Sequence, residues 1–305
     1  MGVRRQASGN PTLTQYAIGL TNSIGSALAN FIAPIVRVGS TIGQFKKFNT
    51  KQDFVVYDTA RAVGGAARRI MFHAEDPTYN CQPQALEIPL DDAERDAEGD
   101  FPLGVQQAKT STLVSNSVTS HEDKVITKAK TLTAEVGLGV WSDPNIDPVA
   151  QLDAVIRAMT INAGRMPNRV AWGLLAWERF RNHAKVRDRQ SQMEVKGLNL
   201  FQASAMLLNP SMEHMIGVLS KEGGKMGSAS AKTNIVGDDV FIFHASPNPT
   251  PFDPSFMKTF QGGDGGIESV RTYRDESCRS DILAVDWSED IQQISTILGA
   301  RITTS

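Results

Sequence analysis

The side chains able to carry chemistry are few and scattered. The five histidines are His73, His121, His183, His214 and His244. No two of them stand at i, i+4 on a helix or at zinc-finger spacing. His121 falls on an apolar stripe, where a packed, hydrogen-bonded ring is the expected role. Two cysteines, Cys81 and Cys278, are too few for a disulfide framework or a metal site of their own, so both are expected as free thiols. Six carboxylates crowd residues 91–100: Asp91, Asp92, Glu94, Asp96, Glu98 and Asp100. They lack the ordered oxygen spacing and fixed glycine of a calcium loop, so the run reads as a solvated acidic connector. Gly262-Gly263-Asp264-Gly265-Gly266 has the suppleness of a phosphate cradle. It lacks the Lys-Ser/Thr of one and opens no helix, so it reads as a turn. There is no Gly-x-Ser-x-Gly elbow, Walker phosphate loop or His-Glu-x-x-His. No catalytic, cofactor-binding or metal-binding residue is assigned, and the chain is read as a non-enzyme that needs no cofactor.

The elements that would position any site form an α+β pattern. Residues 1–30 are poor in charge after Arg5, and their apolar residues (Leu13, Tyr16, Ile18, Leu20, Ile24, Leu28) are too sparse to build a core. They read as an extended arm that packs onto something else. Residues 31–38 read as a short strand. Between Gly104 and Gly137, residues Val114, Val118, His121, Val125, Ala129 and Leu132 recur at steps of three or four, the stripe of a long amphipathic helix. Its Ser/Thr-rich start does not locate the first turn. Asp147-Pro148 opens a second helix with Val149, Leu152, Val155, Ile156 and Met159 inward, closed by Gly164. Strand 169–172 follows, then helix 174–183 with Leu174, Trp177 and Phe180 inward. A further helix is expected to bury Leu198, Phe201, Ala205 and Leu208. Strands are expected at 212–219, 240–243, 269–274, 282–287 and 294–302, with a flexible Gly/Ser/Ala/Lys loop at 221–232.

One segment cannot account for itself. Phe54-Val55-Val56-Tyr57 and Ile70-Met71-Phe72 read as strands flanking a turn at Gly64-Gly65. Around them stand Lys46, Lys47, Lys51, Arg61, Arg68 and Arg69. A long hairpin with so few large apolar residues cannot bury itself. It must lie on another surface, and a subunit contact is expected. The six basic residues and the acidic Asp91, Asp92 and Glu94 are therefore the candidate interface residues.

Composition limits the partners. The chain has 305 residues, 41% hydrophobic and 21% charged, as in ordinary soluble proteins. No apolar run approaches the roughly 20 residues that span a bilayer. The N-terminus lacks a signal peptide's apolar core, and Gln6 stands where myristoylation wants Ser or Thr. The protein is expected to be cytosolic when made, with no membrane partner. A net charge of −2 argues against a strong grip on nucleic acid. Any DNA contact is expected to be weak and non-specific, through groups such as Arg4 and Arg5.

Several stretches, in this order, resemble the major capsid proteins of tailed bacteriophages with the Hong Kong 97-type coat fold. They begin with Ala33-Pro34-Ile35-Val36-Arg37-Val38 and Asp58-Thr59-Ala60-Arg61-Ala62-Val63-Gly64-Gly65. Thr78-Tyr79-Asn80-Cys81 and Ala85-Leu86-Glu87-Ile88-Pro89-Leu90-Asp91-Asp92-Ala93-Glu94-Arg95 follow. Then come Pro167-Asn168-Arg169-Val170-Ala171-Trp172-Gly173 and Phe241-Ile242-Phe243-His244-Ala245, with Asp253-Pro254-Ser255-Phe256-Met257-Lys258-Thr259-Phe260 last. The resemblance implies an N-terminal arm (1–30), a peripheral-domain strand (31–42) and an extended β-hairpin loop (43–90). It further implies a peripheral domain with a long spine helix (91–148), a mainly axial domain (149–260) and return strands (261–305). It implies self-assembly into pentamers and hexamers of an icosahedral shell around phage DNA, assembled in the host cytoplasm and ending in the virion. A portal and a decoration protein are implied partners. The short stretch before Phe31 leaves no room for a cleaved scaffold segment, which implies a separate scaffolding protein. Two other readings stand beside it: an encapsulin-like compartment shell, and a soluble α+β enzyme with an unrecognised site.

Overall fold

The computed structural model describes residues 8–23, 27–47, 58–61, 63–67, 69, 75–97, 104–135, 138–192, 197–222, 232–263 and 269–304. The architecture is α+β, built on two sheets joined by one long helix. In the larger sheet, the 14-residue strand β13 (Ser280–Gln293) is the organiser. One edge takes β5 (Gln82–Asp91) over ten residue pairs. The other edge takes β12 (Val270–Asp275) and then β11 (Met257–Gly262). The two-residue β1 (Ser8–Gly9) extends β12, and β2 (Ile35–Val38) joins β11 in parallel. The smaller sheet has the order β14 (Gly299–Thr303), β10 (Asp239–Phe243), β6 (Arg169–Gly173) and β7 (Glu213–Gly217).

Strand β10 shows why the smaller sheet lies in the interior. Its five residues are all buried, and a strand turns successive side chains to opposite faces. Val240 and Ile242 face a cluster made with α5 (Pro148–Ala163) and α6 (Leu174–Asn182), centred on Trp172. Phe241 and Phe243 face a second cluster, made with α2 (Ala27–Ile32) and the C-terminal part of α4 (Gly104–Ala129). The N-terminal part of α4 lies on the larger sheet, where Leu113, Val114 and Val118 meet Leu283, Val285 and Trp287. One 26-residue helix, about 39 Å long by its rise, thus serves both sheets.

The expected stripe on α4 is present: Val114, Val118, His121, Val125 and Ala129 are buried, and Leu132 is partly buried beyond the helix end. The Ser/Thr-rich start is helical, and its hydroxyls are satisfied by donating back one turn. Thr110, Thr112, Ser117, Thr119 and Ser120 bond the carbonyls four residues earlier at 2.7–3.0 Å. The second expected helix, α5, has its Asp147 cap accepting from the amides of Val149 and Ala150. It ends at Gly164 with φ of 60°.

Four expectations are corrected. The N-terminal stretch is not an extended arm through its described part. α1 (Pro11–Ser23) forms there, with Pro11 in the first turn and the Asn10 side chain accepting from Leu13 N at 3.2 Å. Leu13 and Ala17, one turn apart, bury against α4 of the same chain. Residues 31 and 32 close α2, and the strand begins only after Pro34, which disfavours helix at the residue before it. On α6, Leu174 is 47% exposed, because Gly173 leads the chain straight from β6 into the first turn and the inward face starts at Ala176. The helix α8 (Leu200–Ala205) is only six residues long, set by a capping box between Asn199 and Gln202. That start rotates Phe201, Ala205 and Leu208 outward and turns Ala203, Ser204 and Leu207 inward.

Several further elements were not anticipated. α7 (Ala184–Gln192) buries Val186 but shows no apolar stripe. β11 is buried along its whole length. β5 contains Pro83 and Pro89, which argue against a central strand; among the described residues it is paired on its β13 side alone, and such an edge strand tolerates proline. The short ladder of β8 (Ser220–Glu222) and β9 (Lys232–Asn234) brackets the expected flexible loop, whose centre lies outside the described residues. Among the described residues no helix is long and apolar enough to cross a membrane.

Trp172 is fully buried, with ring centroids of Phe180, Trp177 and Trp141 at 4.9, 5.3 and 6.2 Å. Trp172→Ala is expected to cost about 3–5 kcal/mol. Phe201, 81% exposed, should change stability by less than about 0.5 kcal/mol when truncated to Ala. Urea unfolding of the unassembled subunit checks both.

Candidate subunit interface

The extended loop stands on a well-packed root. β3 (Ile42–Gln44) and β4 (Thr78–Asn80) form a two-stranded ladder that closes it. Beneath the ladder, Tyr79 stacks on Phe260 at 4.6 Å and Phe45 lies 5.2 Å from the same ring. Gly43 is required there, since a Cβ would come within 2.3 Å of the Tyr79 hydroxyl. Cys81 is buried at this root and Cys278 is exposed in the turn between β12 and β13; both are free thiols. Two of the candidate cations hold the root: Lys46 pairs with Asp76, and Lys47 with Glu75 at 3.8 Å.

Away from the root, every described residue of 58–61, 63–67 and 69 is exposed. Val63 is 106% exposed, beside a turn in which Gly64 has φ of 80°. Arg61 and Arg69 are exposed there. Lys51, Arg68 and both expected hairpin strands lie outside the described residues. A segment with this little apolar surface gains almost nothing by folding back on its own subunit.

The acidic connector is a short helix, α3 (Asp92–Ala97), and it is tied into its own chain. Arg274 donates to both carboxylate oxygens of Asp92 at 2.5 Å. Lys109 on α4 pairs with Glu94, and Arg95 with Asp281. These contacts hold the carboxyls of Asp92 and Glu94 below the usual range, chiefly through the hydrogen bonds from Arg274 and Lys109. Asp91 caps the helix, accepting from the Ala93 amide at 2.8 Å, and stays exposed. Asp91, Asp92 and Glu94 are thus brought together at one end of the larger sheet.

Two charged sites escaped the sequence reading. Lys258 is fully buried, and its ammonium donates to the Thr250 and Asp253 carbonyls and the Asp253 carboxylate at 2.5, 2.6 and 2.9 Å. A lysine inside the apolar run Phe256-Met257-Lys258-Thr259-Phe260 was the available signal. At the helix–sheet contact, Glu289 on β13 accepts from His121 at 2.6 Å and from Lys124 at 3.0 Å. Burial alone would raise its carboxyl, but the hydrogen bonds and charges of His121 and Lys124 prevail and hold it at about 2. Among the described residues no group of three or more His, Cys, Asp or Glu is placed to hold a metal ion.

No family model matches the chain. A curated relative, the major capsid protein of Pseudomonas phage JBD67, is 25% identical over 171 residues. That stretch covers 53% of this chain and 55% of the relative, so the match spans little more than half the relative's length. Over 98% of both chains, the structure resembles a phage-related protein from Bordetella bronchiseptica RB50, with a TM-score of 0.73 at 21% identity. It resembles the capsid of cyanophage P-SCSP1u with a TM-score of 0.54 at 10% identity, covering 89% of this chain and 86% of that one. This is the fold of phage capsid proteins. The virus-like particle of Pyrococcus furiosus shares it, with a TM-score of 0.57 at 10% identity over 95% and 97% of the two chains. The mixed α+β class and the phage-capsid resemblance read from the sequence both hold.

The Glu289 site sets an acid limit. A carboxyl held below its ordinary value stabilises the fold fully above about pH 4.5 and loses that stabilisation as pH falls through about 2. The shift is worth on the order of 3 kcal/mol. Glu289→Gln is expected to flatten the acid limb of a stability–pH profile by about one proton. An unchanged limb would show that His121 and Lys124 do not hold the carboxylate.

Proposed function

We propose that the chain is the major coat subunit of a tailed phage, assembling with copies of itself into an icosahedral head around double-stranded DNA. The whole-chain likeness to the Bordetella phage-related protein, joined to the sequence match with a phage major capsid protein, supports this most strongly. The role is structural, in the virion, and no reaction is assigned to the chain. We read the elements by the Hong Kong 97-type division into loop, spine helix, peripheral domain and axial domain. α4 serves as the spine, the larger sheet as the peripheral domain and the smaller sheet as the axial domain.

In this reading the loop docks on a neighbouring copy. Lys46 and Lys47 brace its root. Arg61 and Arg69, with Lys51 and Arg68, supply cations for the neighbour's carboxylates, and the acidic end at Asp91, Asp92 and Glu94 is the candidate acceptor. Single exposed pairs contribute about 0–1 kcal/mol. Repetition around a closed lattice makes such small terms sufficient. A separate scaffolding protein, a portal and a decoration protein are further proposed partners, with only weak non-specific contact to DNA. A compartment shell is the second reading, favoured by the likeness to the Pyrococcus particle; particles filled with protein cargo and no DNA would select it.

The test is assembly. The full chain, expressed with the scaffolding gene from its own genome, is expected to give closed shells by negative-stain microscopy. Replacing residues 60–69 with a short Gly-Ser turn is expected to leave a cooperatively melting subunit that forms no stable shells. A wild-type protein that stays monomeric in light scattering with and without scaffold overturns the function. A loop variant that assembles normally overturns the contact.

A further inference from the structure

Glu122 on α4 is fully buried, and among the described residues neither carboxyl oxygen has a hydrogen-bond partner of normal geometry. An orphaned buried carboxylate is costly unless it takes up a proton. Its position gives it a use. The N-terminal segment lies along α4 in two patches: Leu13 and Ala17 of α1 against Leu113, Val114 and Val118, and Leu28, Ala29 and Ile32 of α2 beside Val125, Ile126 and Ala129. Glu122 follows Val118 by one turn and precedes Val125 and Ile126 by another, so it sits between the two patches.

We propose that Glu122 is a proton-controlled latch for the N-terminal segment: its neutral carboxyl lets α2 lie on α4, and its ionisation releases α2 from the spine. The surroundings leave proton uptake as the remedy. α1 and α2 carry no Asp, Glu, Lys, Arg or His. On α4, His121 and Lys124 are committed to Glu289 of β13, and Asp123 to Lys221 of β8. On β5, Glu87 accepts from the Tyr273 hydroxyl. Burial pushes the Glu122 carboxyl up to about 7, and the nearby Ala29 amide opposes this only in part. A raised carboxyl favours docking most below about pH 4.5; the advantage is lost progressively to about pH 7 and is level above that. A six-residue helix such as α2 does not persist once undocked.

The measurement is hydrogen exchange of the unassembled full chain, corrected for intrinsic rates, so it is independent of whether shells form. Protection of residues 27–32 is expected to fall up to about 300-fold between pH 4.5 and pH 8, the equivalent of that displacement from the ordinary carboxyl value. In E122Q, with the same shape and no charge, it is expected to vary less than about 3-fold. A flat wild-type profile, or an equally steep E122Q profile, overturns the latch. So does exchange of 27–32 only together with the β10 amides, which would mean global unfolding rather than release. Should E122Q fail to fold, E122M serves as the uncharged control, with the same two outcomes.

Discussion

The packing of α4 against β13 is the contact on which the rest of the subunit depends. A strand exposes alternate residues on one face, and on β13 Leu283, Val285, Trp287 and Glu289 all turn toward the helix. The first three bury apolar surface, at roughly 25 cal/mol per Å². The fourth is a charge, and it is tolerable there only because His121 and Lys124 meet it. Apolar burial supplies the free energy of the contact, while the Glu289 site fixes its register. A slip by one residue along β13 would turn the carboxylate away from its partners and expose Trp287.

From that contact the remaining elements find their places. β13 offers two edges, and four of the other five strands of its sheet reach it directly or through β11 and β12 on one of them, while β5 takes the second. α4 runs on past the sheet and carries the smaller sheet on Val125, Ile126 and Ala129. The N-terminal helices then use what remains of the α4 surface. Beyond the root of the loop every described residue is exposed, Arg61, Val63 and Arg69 among them. Core and proposed contact surface are thus divided between different parts of the chain.

Elements whose apolar residues follow a helix or strand period over several turns were legible in the sequence. α4 and α5 are examples, the second with its Asp147 cap and Gly164 stop. Short elements were not. In α8 the start is set by the Asn199–Gln202 exchange, and a start displaced by one or two residues turns Phe201 outward. α7 has one buried apolar residue, so no period can show. β5 was hidden by two prolines that matter only if both edges are paired. The interface candidates were legible as residue types but not as partners, because the Arg274–Asp92 and Lys109–Glu94 pairs join residues that are remote in sequence or lie on different elements. Glu122 and Glu289 show the same limit. Both are glutamates near apolar residues, and only the fold gives one of them cations and the other none.

Native-state hydrogen exchange of the unassembled subunit in increasing urea tests most directly whether the α4–β13 contact governs the fold. Amides of α4 from residue 113 to 129 and of β13 are expected to exchange last and together, by global unfolding. Residues 58–69 are expected to exchange with almost no protection. Slowest exchange confined to the Trp172 cluster of the smaller sheet, with α4 and β13 opening earlier, would contradict the account.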